Sequence, residues 1–149
     1  MTDLTRPFRR LHHICLVVHD LAASQAYYES IGIGPWHDYP PLTQFTELDM
    51  PNPDAFRQLR YRWTDLDNVQ VQLCQPPPLD CPQRRFLDAH GEGVFHLGFE
   101  AVLADAVPAA KAAGLEVLMS GRRENGTGFT YYDTVDRAGV VWMNRQTQP

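Results

Sequence analysis

Two histidines, His13 and His96, stand inside apolar runs of the same kind, Leu11-His12-His13-Ile14-Cys15-Leu16-Val17-Val18 and Val94-Phe95-His96-Leu97-Gly98-Phe99-Glu100. Two imidazoles joined by an amide or carboxylate oxygen suit a divalent ion that keeps open positions for a substrate. Gln72 can supply that oxygen. Counting by twos, it shares a strand face with Gln70 and Cys74, as His13 does with Cys15 and His96 with Gly98. Either histidine alone reads first as a hydrogen-bonded core residue, but their symmetric placement in two similar halves argues for parts of one site.

The elements that must hold these residues repeat. Residues 11–18 read as a buried strand, and Asp20 caps a helix over 21–30 that Gly32 and Gly34 end. Residues 35–56, broken by Pro40, Pro41, Pro51 and Pro53, admit a strand through 43–48. Alternating runs 58–64 and 69–74 around Asp65-Leu66-Asp67-Asn68 predict a hairpin. Pro76-Pro77-Pro78 closes the first half, and 84–90 reads as a connecting helix stopped by Gly91. The pattern then recurs as a strand over 94–100, a helix over 103–113 that Pro108 kinks or restricts to one end and Gly114 stops, and strands over 115–119, 129–132 and 139–144. Each half is thus strand, helix and three strands. The expected organisation is one domain over 1–149, with module one over about 10–76, a linker over about 77–92 and module two over about 93–145.

With 149 residues, 44% of them hydrophobic, the chain suits a single core-forming unit. The net charge is −5, and the twelve arginines beside the single Lys111 form pairs rather than a stripe, which argues against nucleic acid. Cys15, Cys74 and Cys81 lack CxxC spacing and fit reduced thiols in a cytoplasmic setting. Arg9-Arg10 precede a run too short and too polar for a signal peptide, and nothing approaches the length of a membrane span.

The chain resembles the vicinal oxygen chelate superfamily, which includes glyoxalase I, methylmalonyl-CoA epimerase, extradiol dioxygenases and bleomycin-resistance proteins. The resemblance runs from about residue 10 to 144. It rests on Leu11-His12-His13-Ile14, Tyr27-Tyr28-Glu29 through Trp36, Val69 to Pro76, Phe86 to His96, and Asp133-Thr134 with Gly139-Val140-Val141. It implies an α+β fold of two tandem βαβββ modules forming a cupped mixed sheet with helices outside. It also implies a divalent metal (Co, Mn, Ni, Zn or Fe), a small-molecule substrate and a homodimer.

Carried over by position, the metal ligands are His13, Gln72 and His96. The family's fourth ligand, a glutamate four residues after a glycine in the last strand, falls on Met143, and the third-strand carboxylate of the epimerases falls on Tyr61. Neither replacement is a carboxylate. Asn144 is a weak substitute ligand on the opposite face, and Met143 reads as a cavity filler against the substrate. Proton transfer would fall to Tyr61 first, then to Glu47, Asp49, Glu100 or the substrate. Arg122 and Arg123 could hold a substrate carboxylate or phosphate, Cys74 lines the cup with Cys15, and Trp36, Trp63 and Tyr131 offer an aromatic wall. The resemblance implies a metal-dependent isomerase or lyase of the glyoxalase or epimerase type. A non-catalytic binding or resistance protein is the alternative, and an extradiol dioxygenase is a weaker third.

Overall fold

The computed structural model describes residues 3–149. Among them the fold is mixed α+β, with nine strands, five α-helices and a 3-10 turn at Leu42–Gln44. In chain order these are β1 (Arg10–Val17), α1 (Leu21–Ser30), β2 (His37–Asp38), β3 (Glu47–Asp49), α2 (Pro53–Arg57), β4 (Arg60–Asp65), β5 (Gln70–Gln75), α3 (Pro82–His90), β6 (Gly93–Glu100), α4 (Leu103–Ala112), β7 (Val117–Arg122), β8 (Gly128–Tyr132), α5 (Val135–Ala138) and β9 (Val141–Gln146). No helix among the described residues is long and apolar enough to cross a membrane.

The chain divides into two compact units. The first comprises His13–Leu42 and Asn52–Phe95, and the second comprises the segment ending at His12, Thr43–Pro51 and His96–Pro149. In the first, β1 runs parallel to β5, β5 pairs antiparallel with β4, and β4 with β2. In the second, β6 runs parallel to β9, β9 pairs antiparallel with β8, and β8 with β7. The strand order is therefore the same in each, which is the expected βαβββ repeat. The boundary differs from the sequence expectation at β3. Instead of staying with module one, β3 pairs antiparallel with β7 and extends the second unit's sheet.

One device is duplicated in detail. Each long helix begins on a buried leucine, Leu21 or Leu103, whose backbone N–H donates to a glutamine at the end of the repeat's last strand. Leu21 donates to Gln75 Oε1 at 2.8 Å and Leu103 to Gln146 Oε1 at 2.9 Å. These bonds satisfy helix-terminal donors that would otherwise lack partners. Asp20 adds the expected cap, accepting from the Ala23 N–H at 3.0 Å. Helix α1 seats Leu21 with Val18 and Leu73, flanked by Leu16, Tyr28 and Trp36. Replacing Asp20 with alanine is expected to cost about 1 kcal/mol, read as a lower urea midpoint at unchanged m-value.

Helix α4 runs through Pro108 without ending, packed through Ala106 and Ala110 and in contact with β8 and β9. Strand β7 extends to Arg122, further than the sequence suggests. Close backbone approach at Gly121 and Gly128 permits this. A Cβ on Gly121 would meet the Phe129 ring at 2.6 Å, and one on Gly128 would meet the Gly121 carbonyl oxygen at 2.1 Å.

Candidate functional site

In the first unit the register puts His13 opposite Gln70, Cys15 opposite Gln72 and Val17 opposite Cys74. Across the hairpin, Trp63 faces Gln72 and Tyr61 faces Cys74. Directly paired residues point to the same side, so His13, Gln72, Cys74, Tyr61 and Trp63 share a face. Leu16 and Leu73 share the other face, under α1. His13 and Gln72 are both buried.

The Gln72 side chain is oriented by a short relay. Asp65 accepts a hydrogen bond from Gln70 Nε2 at 3.2 Å, and Gln70 Oε1 accepts one from Gln72 Nε2 at 2.8 Å. A carboxylate can only accept, so Gln70 must give it the amide nitrogen and offer its oxygen to Gln72. Gln72 then donates its nitrogen, which leaves Oε1 as the atom open to a further donor or a cation. Sequence reading missed Asp65 and Gln70 in this role, although their pairing follows from the hairpin register. Replacing Gln70 with leucine removes the orienting acceptor. If Gln72 is a ligand, divalent-ion affinity is expected to fall about tenfold, measurable by competition with a chelating dye.

The second unit repeats this register with other residues. His96 lies opposite Val141, and Gly98 opposite Met143. Gln72 pairs two residues after His13 and three before the capping Gln75. Met143 likewise pairs two after His96 and three before the capping Gln146. Met143 is thus the positional counterpart of Gln72. It is buried, and its cross-strand partner on β8 is Tyr131. The Tyr131 ring lies 4.8 Å from that of His96, matching the place of Trp63 beside Gln72. Burial pushes the His96 pKa down to about 3, so the ring is a neutral donor across the physiological range.

The remaining expected residues fall as follows. The Arg122 guanidinium is taken up by its own hairpin, donating to the Gly121 carbonyl oxygen at 3.0 Å, to Thr130 Oγ1 at 2.9 Å and to the Phe129 carbonyl oxygen. It lies opposite Gly128 and Glu47, on the face away from His96. Arg123 donates to Gln44 Oε1 at 2.8 Å and stacks over Phe45 at 4.6 Å, tying the segment before β3 to this unit. The Leu48↔Gly121 register turns Glu47 and Asp49 away from the His96 face.

Glu100 is on the His96 face, but its carboxylate meets Arg145 at 3.4 Å, and Arg145 also contacts His12. Asn144 is a structural tether, accepting from the Tyr132 hydroxyl at 2.8 Å and donating to the Pro7 carbonyl oxygen. Cys15 and Cys74 are fully buried. Burial first, and then the Cys74 hydrogen bond, raises the Cys15 thiol well above its ordinary value, so it is no thiolate nucleophile. Tyr61 is buried with its ring 5.1 Å from that of Tyr39, and Trp36 belongs to the core under α1.

Among the described residues no three His, Cys, Asp or Glu side chains form a metal-binding group. The donor set expected from the sequence, His13, Gln72 and His96, consists of two imidazoles and one amide oxygen. That set fits a borderline divalent ion, given a neutral His96 and an oriented Gln72 oxygen.

Residues 12–132 match the profile of the glyoxalase/bleomycin resistance protein/dioxygenase superfamily. Among solved structures, methylmalonyl-CoA epimerase from Mycobacterium tuberculosis superposes with a TM-score of 0.73 at 19% identity, covering 100% of this chain and 94% of that one. A variant of the Streptomyces coelicolor methylmalonyl-CoA epimerase, solved with 2-nitronate-propionyl-CoA, gives 0.68 at 24% identity, covering 94% and 98%. A methylmalonyl-CoA epimerase solved with methylmalonyl-CoA and NH4+ gives 0.65 at 25% identity, covering 91% and 92%. No curated protein matches by sequence.

Proposed function

Because the chain belongs to the glyoxalase/bleomycin resistance protein/dioxygenase superfamily, we propose that it is a metal-dependent isomerase or lyase acting on a small carbonyl or thioester substrate. The observation that carries this reading is the repeated register, which gives His13 and His96 equivalent buried places and supplies Gln72 with an oriented oxygen. Structural neighbours solved with CoA thioesters support the thioester class.

In this reading His13, Gln72 and His96 hold the divalent ion. When bound, the ion supplies Lewis-acid stabilisation of negative charge on substrate oxygens. The chain's own residues do the rest. Asp65 and Gln70 keep the Gln72 oxygen presented. Met143, backed by Tyr131, gives an apolar, water-excluding wall against which an acyl group packs. Tyr61 carries the proton, because its phenol lies on the Gln72 face, where the expected carboxylates are absent. Substrate contact falls to Met143 and Cys74 rather than to Arg122 and Arg123, whose guanidiniums are engaged elsewhere. A homodimer belongs to the same proposal and is testable by sedimentation.

The specific observation favouring a second reading, a ligand-binding protein without turnover, is the non-ionisable Met143 at the place of the fourth ligand. One experiment separates the two. Metal-stripped protein is titrated with Co²⁺, Mn²⁺ or Ni²⁺ while melting temperature and solvent-deuterium uptake into acyl-CoA thioesters are followed. Metal-dependent stabilisation with exchange supports the enzyme, and thioester binding without exchange supports the binder. Absence of any metal effect or exchange removes the enzymatic reading.

A further inference from the structure

At the edge of the first unit's sheet, β2 and the segment after it, the end of α2 and the start of β4 enclose a polar cavity of about 380 Å³. Asp38, Tyr39, Arg57, Arg60, Tyr61 and Arg62 line it. We propose that this cavity is an anion site for the phosphate group of a small molecule, a phosphomonoester or diphosphate.

Three of the chain's twelve arginines meet here, in a protein of net charge −5. Only one carboxylate, Asp38, joins them in the lining. Arg57 contacts Asp54 at 2.9 Å and Arg62 contacts Asp38 at 3.3 Å, but the aspartate side chains are 84% and 86% exposed. Ion pairs so open to water are worth about 0–1 kcal/mol, and although Arg62 Nη1 also donates to the Tyr61 carbonyl oxygen at 3.0 Å, its other guanidinium N–H groups remain for a doubly charged ligand. Arg60 has no ion-pair or side-chain hydrogen-bond partner among the described residues. A single carboxylate would leave this charge largely unmatched. Phosphate oxygens accept from several guanidinium forks at once.

Tyr39 and Tyr61, whose rings lie 5.1 Å apart, border the cavity as well. The rest of the opening faces solvent, which leaves room for the organic part of the ligand. Three arginines around one cavity are also far short of the extended basic and aromatic track that a nucleic-acid strand requires.

The test is independent of the metal reading because it uses metal-stripped protein. Inorganic pyrophosphate is the probe, titrated calorimetrically at low ionic strength into the full chain. Saturable one-site binding is expected, weakened by added salt. Arg60→Ala and Arg57→Ala, both at exposed positions, are expected to weaken it at least about tenfold each, with Arg60→Lys less affected. Arg137→Ala, on α5 in the other unit, is expected to leave it unchanged. The site is refuted by absent saturable heat, by unaltered affinity in both cavity variants, or by an equal loss in the Arg137 control.

Discussion

Glutamate in place of Met143 is expected to tighten Co²⁺ or Mn²⁺ binding by roughly ten- to a hundredfold, the scale on which adjustments to a ligand set act. Met143 is the register counterpart of Gln72, so a side chain placed there meets the His96 face as Gln72 meets that of His13. A thioether is a poor donor to these ions, whereas a carboxylate adds both an oxygen and a negative charge. The substitution also has a cost that makes the result diagnostic. Position 143 is 7% exposed, and an ionised carboxylate buried there without a partner destabilises the metal-free protein by several kcal/mol. The metal-free variant is therefore expected to melt below wild type and to recover more of its melting temperature on adding Co²⁺. Equal metal responses in the two proteins would falsify the ligand assignment.

Acid is expected to unfold the metal-free protein through His96. Its pKa falls from 6.5 to about 3 because burial disfavours the imidazolium. The folded value lies below the unfolded one, so the stabilisation is complete above pH 6.5 and is lost as pH falls toward 3. Each proton taken up only by the unfolded chain lowers stability by about 1.4 kcal/mol per pH unit, or some 2 to 3 kcal/mol between pH 6.5 and 4.5. Urea midpoints across that range should decline for wild type. His96→Gln, which removes the titrating ring, should show a flatter acid limb. Parallel slopes in the two proteins would assign the acid sensitivity to other groups.

Strand periodicity made much of this readable in advance. His13, Gln72, His96 and Met143 lie in runs whose alternation fixes their faces, and Asp20 and Gly91 mark helix ends by local backbone chemistry. The unread features are non-local or too short for a period. Helices α2 and α5 span only Pro53–Arg57 and Val135–Ala138. Strand β3 has three residues, and no local signal indicates that its partner is β7. Arg122 and Arg123 are alike in sequence, yet Arg122 is the last residue of β7 and Arg123 lies just beyond it. One is bound into the hairpin and the other over Phe45. The Asp65–Gln70–Gln72 relay required knowing the hairpin register, which alternation alone leaves open.

The attachment of β3 to β7 also bears on the order in which the chain can fold. The β4–β5 hairpin joins strands separated by a short turn and can close in microseconds. By contrast, β3 is synthesised well before its partner β7, and the Pro7 carbonyl oxygen must wait for Asn144, 137 residues away. Such long closures slow the search. During synthesis the first unit can assemble while β3 and the N-terminal segment stay unpaired. The second unit, with Tyr131, Met143 and His96, is completed only after β9 has been made.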